Sequence, residues 1–454
     1  MSSIPRVLTI AGSDSGGGAG IEADLKTFAA LGVHGLVAIT AVTAQNTTGV
    51  SRIFELPAEM VRSQIEAVVG DIGVDYAKTG MLFSSAIINE IARAAIEFGL
   101  RLVVDPVMVA KSGAILLRKD ALSSLKSNLL PLAEVVTPNL DEAELLTGLK
   151  ISSVQDSITA GEEILKLGPK AAVIKGGHLP GEPVDVLCQK GKEPLQFYGA
   201  RASSSSTHGT GCTFSSALAA YLATGSTVED AVRSSKQFVY NAILYGLKIG
   251  KGVGPVNPMS NLEADAERHR ICEKMSDAIT ILESSDSVTR LSPECQINIV
   301  MALPKPYAIS IDAVCAVPGR IFNVAGHLKA AACPAFGASR HMAKVVLTAM
   351  EYDPSYRSAM NIRLSNEIID ACIRLGLSIS SYDRKLEPKE VKSMEGGSVP
   401  WGVGEAIKSF GRVPDIIYHM GDVGKEPMIN ILGTDSVDVV MKAIKIGKSL
   451  CAIS

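Results

Sequence analysis

Several features are scarce in this chain, and each scarcity closes off a class of protein. There is one tryptophan, aromatic residues make up 5% of the chain, and no apolar run approaches the roughly 20 residues that a membrane-spanning helix needs. The eight cysteines are scattered and none forms a Cys-x-x-Cys pair, which argues against both a disulfide framework and a zinc site. A formal net charge of −3 provides no electrostatic footprint for nucleic acid or an anionic membrane, so neither is expected as a partner. The chain runs early through Val7-Leu8-Thr9-Ile10 into a Gly-rich loop, without the regions of a secretory signal, and a cytoplasmic protein is expected.

What is present describes an ordinary globular protein. Hydrophobic residues make up 47% and charged residues 20%. The length suits two or three domains of roughly 150 residues each. In the first half, apolar strands are predicted at 6–11, 35–42 (ending near Gln45-Asn46), 102–107, 135–136 and 171–174. Helices are predicted at 21–31, 61–69 and 86–98. That alternation implies right-handed crossovers and a mostly parallel sheet with helices on both faces. Ligands gather at the carboxyl ends of such strands, and Asp14, Gln45, Asp105, Asn139 and Lys175 fall there.

The stretch around which the rest is organised is Ser206 to Ala217, where His208-Gly209-Thr210-Gly211-Cys212 opens onto a helical run at 215–222. A Gly-rich turn at a helix N-terminus presents backbone N–H groups to an oxyanion or a transferring phosphoryl group. The same dipole would favour the Cys212 thiolate. The loop at 12–20, beginning at Gly12, is neither a Walker sequence nor a dinucleotide fingerprint; it would bring backbone N–H groups to a small polar ligand. Gln45 offers an amide that donates and accepts together, as an aminated heteroaromatic edge requires, and Met81 with Val107 could sandwich the ring. Asp105 is rigidly placed before Pro106. Asn139 and Glu142 form a capping-box pair that could equally hold magnesium-bound water near phosphates. Lys175 could reach a phosphate as a point charge.

Together, the stretches 11–24, Thr43 to Asn46, Lys78 to Met81, Asp105 to Met108, Thr137 to Asn139, Lys175 to His178 and His208 to Thr213 resemble the hydroxymethylpyrimidine/phosphomethylpyrimidine kinases of the ribokinase-like superfamily, over about residues 4–258. Glu22 stands where that family often has Gln, a difference expected to lie on a helix surface. The resemblance implies a three-layer α/β/α domain with a mostly parallel sheet. It also implies two successive phosphorylations of 4-amino-5-hydroxymethyl-2-methylpyrimidine by Mg-ATP, and commonly a homodimer. Gly12, Asp24, Gln45, Met81 and Val107 are then expected at the pyrimidine. Asp105, Asn139, Glu142, Lys175, Gly209, Thr210 and Gly211 are expected at the phosphates, with Asp105 and Glu142 toward Mg2+ and Cys212 catalytic. A pyridoxal or sugar kinase of the same superfamily is the alternative.

The alternation weakens at the Gly/Pro-punctuated stretch 250–258, which sets expected bounds of 1–258 for the kinase domain, 259–285 for a linker with an amphipathic helix, and 286–454 for a second domain. That helix should bury Leu262, Ala266, Ile271, Met275, Ile279 and Leu282. Beyond it, strands are predicted at 307–313 and 416–418 and helices at 338–350 and 366–375. Gly319-Arg320-Ile321, Gly337 to His341, Ser381 to Arg384, Gly411 to Pro414 and Gly421 to Pro427 place arginines and lysine beside glycines, suiting phosphate or diphosphate recognition. This half resembles the archaeal-type thiamine-phosphate synthase domain, whose fold is three-layer α/β/α with a mixed sheet, similar to the aldolase class II type. The resemblance implies coupling of the pyrimidine diphosphate with thiazole phosphate. Arg320 and His341 are the first catalytic candidates, Arg340 and Lys425 further phosphate ligands, and Asp383, Asp422 and Glu426 carboxylates open to magnesium. A ligand-binding regulatory domain is the alternative.

Overall fold

Alternation along the strands sets the architecture. In the computed structural model, which describes residues 4–109, 113, 115–118, 120–394, 396–422 and 425–451, contacts divide the chain into two units, Met1–Leu262 and Glu263–Ser454. The first holds β1 (Arg6–Ala11), β2 (His34–Ile39), β3 (Ala41–Asn46), β4 (Gly49–Glu55), β5 (Tyr76–Thr79), β6 (Leu102–Val104), β7 (Ala133–Val136), β8 (Ala171–Ile174), β9 (Val184–Gln189) and β10 (Leu195–Tyr198). Its main sheet runs β10-β9-β8-β7-β6-β5-β1-β2, parallel from β2 through β8 and antiparallel at β9 and β10.

Successive strand residues point to opposite faces. Leu8, Val104, Val136 and Ile174 bury with Ile65, Ile87, Ile91 and Ile164 from helices Ala58–Asp71, Ser85–Phe98 and Val154–Lys166. Their neighbours Val7, Val103, Val135 and Val173 bury against Phe28, Leu218 and Val232 from helices Gly20–Ala30, Thr210–Ala223 and Val228–Leu244. Each such side chain is worth about 1.5–3 kcal/mol of burial, and because both faces bury them, the unit has three layers. Helix boundaries follow local chemistry: Ser84 Oγ accepts from Ile87 N at the start of Ser85–Phe98, and Gly99 ends that helix at φ 62.

The strand expected to run from 35 toward 46 is two strands. Thr40 donates through N to Ala11 O and through Oγ1 to Met81 O, which turns the chain. Among the described residues β3 then pairs only with β4, antiparallel, carrying Gln45 off the main sheet.

Helix Ser260–Glu283 crosses the unit boundary. From Ile271 onward its expected face is buried (Ile271, Met275, Ile279, Leu282), but Leu262 and Ala266 are exposed. The second unit holds β11 (Ile299–Ala302), β12 (Val314–Ala316), β13 (Ile321–Val324), β14 (His327–Ala330), β15 (Ala335–Phe336), β16 (Ser358–Arg363), β17 (Ile379–Ser381), β18 (Ile416–His419) and β19 (Met428–Gly433). Its mixed sheet runs β15-β12-β11-β16-β19-β18-β17, with only β17–β18 parallel. Val300, Ala359 and Leu432 pack with helices Arg340–Tyr352 and Ser398–Phe410. The alternate residues Ile299, Met360 and Ile431 are also buried, and helix Ser436–Cys451 packs on those strands. The strand expected at 307–313 is absent: Tyr307 N and Ala313 N close turns onto Pro304 O and Ser310 O, and the chain there is a 3-10 turn, Ile311–Ala313. Two prolines before Tyr307 remove the donors a ladder needs. The strand is β11 instead.

Candidate active sites

In the first unit the strand ends converge on the start of helix Thr210–Ala223. Asp105, after β6, accepts from Lys175 Nζ at 2.9 Å and Thr137 Oγ1 at 3.2 Å on Oδ1, and from Ser215 Oγ at 3.2 Å on Oδ2. Asn139 and Lys175 are bridged across β7 and β8. A Cβ placed on Gly211 would stand 3.4 Å from Lys175 Nζ and 3.8 Å from Asp105 Oδ2, so the helix N-terminus faces this ion pair directly. Asn139 caps helix Leu140–Thr147 in a full capping box with Glu142. Glu142 is pushed up to about 7, first by burial, with Lys175 opposing and Asp105 adding to the rise.

Cys212 is part-buried in the first turn, and its thiol is pushed up to about 11. Loss of solvent is the largest cause; Lys78 opposes it, and Asp24 and Asp105 reinforce it. The expectation of a dipole-favoured thiolate is therefore corrected: burial among carboxylates outweighs the helix end.

The Gly-rich loop is also different from the expected cradle. Asp14, buried at 2% exposure, accepts from Gly16 N at 2.8 Å on Oδ1, and from Gly18 N at 3.1 Å and Ala19 N at 2.8 Å on Oδ2. Ser13 N and Gly17 N bond to Ala41 O and Asp14 O. Those amides fold the loop on itself and leave little for a ligand. Burial works against the Asp14 charge, yet the bonds from His208, Gly16 and Ala19 hold its carboxyl below the usual range. Glu22 is no surface bystander, since its Oε2 accepts from Asp14 N at 2.7 Å.

His208 Nε2 lies 2.8 Å from Asp14 Oδ2 and 3.2 Å from the Gln45 side-chain amide. One ring nitrogen cannot donate to Asp14 and accept from the Gln45 NH2 together, so only one of these two contacts is a hydrogen bond in a given tautomer. Met81 and Val107 sit in one small apolar cluster with Ala41, Ile53, Phe83 and Leu116. Gly12 leaves room there: a Cβ would be 3.1 Å from Met81 Sδ. Asp24 does not join this group. Its carboxylate is committed to Lys78 Nζ at 2.9 Å, Thr9 Oγ1 at 2.6 Å and Ser216 Oγ at 2.6 Å, all buried, so the expectation that it touches the pyrimidine is corrected. Sequence reasoning missed the Asp14–His208–Gln45 chain, whose members are far apart in sequence.

In the second unit Arg320 holds φ +76 and its guanidinium donates to Cys295 O. Arg340 and His341 are exposed on the first turn of helix Arg340–Tyr352. His341 is drawn down to about 4, first by loss of hydration and then by Arg384, Arg320, Lys425 and Lys344. Lys425 N and O are bonded to Asp422; Val423 and Gly424 of that motif lie outside the described residues. Arg320, His341 and Lys425 are thus brought into one electrostatic neighbourhood. The three acids are engaged: Asp383 Oδ1 with Lys385 N, Asp422 Oδ2 with Lys392 Nζ, and Glu426 with Glu294 N and Cys295 N. No group of three or more His, Cys, Asp or Glu side chains poised for a metal occurs among the described residues. No helix among them is long and apolar enough to cross a membrane.

A mostly parallel α/β/α unit with a helix N-terminus over a Lys–Asp pair and an apolar cluster of Met81 and Val107 suits a small-molecule phosphotransferase. A family model described as phosphomethylpyrimidine kinase matches residues 14–257, and the chain belongs to that family. The model for thiamine-phosphate synthase ThiN matches 274–445. The hydroxymethylpyrimidine/phosphomethylpyrimidine kinase of Streptomyces coelicolor is 50% identical over 253 residues, covering 56% of this chain and 94% of that protein. The thiamine biosynthesis bifunctional protein ThiED of Geobacter sulfurreducens is 50% identical over 253 residues, 55% of this chain and 51% of that one. Among solved structures, an ADP complex of Bacillus subtilis pyridoxal kinase aligns with TM-score 0.54 at 39% identity, over 57% of this chain and 99% of that one. A Staphylococcus aureus pyridoxal kinase with AMP-PCP and pyridoxal gives TM-score 0.53 at 38% identity, over 57% and 95%. The chain is a bifunctional enzyme of thiamine biosynthesis, with a kinase domain that takes ATP as phosphoryl donor and a synthase domain behind it.

Proposed function

We propose that the first unit phosphorylates 4-amino-5-hydroxymethyl-2-methylpyrimidine twice, and that the second joins the resulting diphosphate to thiazole phosphate. The observation that carries the kinase reading is the helix N-terminus at Gly209 to Cys212 standing over Lys175 and Asp105, with Gln45, Met81 and Val107 offering an amide and an apolar surface for the ring. In the first step the hydroxymethyl oxygen attacks the γ-phosphorus, the P–O bond to ADP breaks and its electron pair stays with ADP, and the hydroxyl proton passes to an oxygen of the transferring phosphoryl group and from there to solvent. In the second, a phosphate oxygen is the nucleophile. A loose transition state asks mainly for positioning and charge stabilisation, so a neutral thiol suffices at 212, and it repels the phosphomonoester less than a carboxylate would. Lys175 and the Gly211 and Cys212 amides hold the transferring group.

Glu142 and Asp105 are the residues that would hold Mg2+. Glu142 fits because it is buried beside a second carboxylate and raised to about 7, an environment relieved by a cation. When bound, Mg2+ would neutralise phosphate charge.

In the second unit the C–O bond to the diphosphate breaks, the electron pair leaves with it, and the thiazole nitrogen forms the C–N bond. Arg320 and His341 receive the leaving charge, and Arg340 and Lys425 anchor phosphate. The test is to give the pure protein pyrimidine, Mg-ATP and thiazole phosphate and look for thiamine phosphate; omitting the thiazole isolates the kinase. Absence of pyrimidine phosphorylation rejects the reading. Pyridoxal belongs in the same assay, because the pyridoxal kinases above share this fold at 38–39% identity. A second unit that binds thiamine phosphate without forming it would instead be regulatory.

A further inference from the structure

The second unit buries a guanidinium that the reading above does not use. Arg384 opens the 3-10 turn Arg384–Leu386 after β17 and is 4% exposed. Its Nε and Nη1 are buried with no hydrogen-bond partner. A buried charge with unpaired donors is strongly unfavourable, so a partner from outside the chain is the simplest account of its survival.

Its surroundings fit an anion. Arg384 is the largest charge influence on both His341 and His419, so its charge lies close to both imidazoles. His419 is itself 4% exposed, and its Nδ1 accepts from Gly421 N at 3.1 Å. That bond fixes the tautomer, so Nε2–H is a donor. Tyr382 holds the imidazole, with ring centroids 5.2 Å apart, and stands edge-on to Trp401 at 6.2 Å. The charges acting on His341 are Arg384, Arg320, Lys425 and Lys344, all cations. Arg320, Arg340, His341 and Lys425 are exposed. Arg320 and Lys425 near His341 are thus exposed, while Arg384 is buried.

Two neighbours argue otherwise. Tyr382 shares a side-chain hydrogen bond with Arg384, and Glu387 is also buried, at 8% exposure, with its Oε1 lacking a partner, so a purely structural pairing of Arg384 with Glu387 is the competing account.

We propose that Arg384, with the Nε2–H of His419, is the buried part of a phosphoryl-binding site in the second unit that also takes in the exposed Arg320, His341 and Lys425. A planar fork in a dry position suits bidentate phosphoryl oxygens. This rests on the synthase reading only for the ligand's identity, which is either the diphosphate leaving group or the thiazole phosphate.

The experiment titrates the full chain calorimetrically with inorganic pyrophosphate and, separately, inorganic phosphate, comparing wild type, Arg384→Met and Arg384→Lys. Any affinity of the kinase unit is common to all three. Arg384→Met should lose the Arg384-dependent pyrophosphate or phosphate binding by tenfold or more, melt no lower than wild type, and keep both kinase steps. Arg384→Lys should fall between, keeping the charge and losing the fork. Greater dependence for pyrophosphate assigns the diphosphate; greater dependence for phosphate assigns the thiazole partner.

Unchanged affinity in both variants overturns the proposal, as does a lower melting temperature of Arg384→Met with binding intact, which would mark a structural pair with Glu387. Should Arg384→Met fail to fold, wild-type affinity in Arg384→Lys is the overturning result. If the wild type binds pyrophosphate through Arg384 yet makes no thiamine phosphate, the synthase reading falls and the site stands. If it makes thiamine phosphate while Arg384 is dispensable, the reverse holds.

Discussion

Lys78 Nζ lies 2.9 Å from Asp24 Oδ2, and neither side chain has exposed surface. Burial alone would pull the ammonium down, but Asp24, Cys212 and Asp105 hold it above its usual value. Asp24→Asn would strand that charge beside helix Thr210–Ala223. The expected loss is about 3–5 kcal/mol of stability, read by thermal or denaturant unfolding. A loss below about 1 kcal/mol, the scale of an exposed pair, would show that Lys78 is not held by Asp24.

Cys212, at about 11, should be a neutral thiol near pH 7. Alkylation of Cys212 by iodoacetamide, followed by mass spectrometry, should be slow at neutral pH and still rising above pH 9. A plateau below pH 8 would restore the thiolate.

Cys212→Ala should lower turnover of the first phosphorylation by less than the roughly 10²-fold minimum of a general base, with little change in pyrimidine KM. Cys212→Asp should harm the second phosphorylation more than the first, since a carboxylate repels the phosphomonoester. Equal losses in the two steps would remove the repulsion argument.

Gly209 sits at φ +83, and a Cβ there would lie 1.8 Å from Gly18 O. Gly209→Ala carries about 1–2 kcal/mol of left-handed strain and pushes the 12–20 loop away from the helix start. Melting temperature should drop and KM for the pyrimidine rise. Gly177→Ala, with nothing within 4 Å, is the control and should be close to wild type; matching behaviour of the two would rule out the close approach as the cause.

His419 is drawn down to about 4, first by burial and then by Arg384, His341 and Lys425. Its unfolded value is about 6.5, so the fold favours the neutral ring. The stabilisation is complete above about pH 6.5 and is lost as pH falls toward 4. Calorimetry should show the second unit melting at lower temperature across that window, with a shallower decline in His419→Gln. Parallel declines would assign the effect to other groups.

The three-layer first unit was readable because strands such as Leu102-Val103-Val104 are apolar on both faces, and only a sheet covered on both sides buries them. The single strand expected through 35–46 failed because its break depends on Thr40 bonding to Ala11 and Met81, contacts between segments. The strand expected at 307–313 failed because Pro304 and Pro306 remove ladder donors and the chain there closes turns onto Pro304 O and Ser310 O.

What the chain determined on its own was which chemistries stand at strand ends: Asp105, Asn139 and Lys175 follow apolar runs, and a glycine-spaced turn opens a helix at 210. Tertiary structure alone decided which groups are spent internally. Asp14 takes the loop amides, Asp24 neutralises Lys78, and crowding raises the Cys212 thiol, because hydrogen-bond partners and loss of solvent come from residues distant in sequence. It also buried Arg384 close enough to act on His341 and His419, a placement no spacing rule encodes.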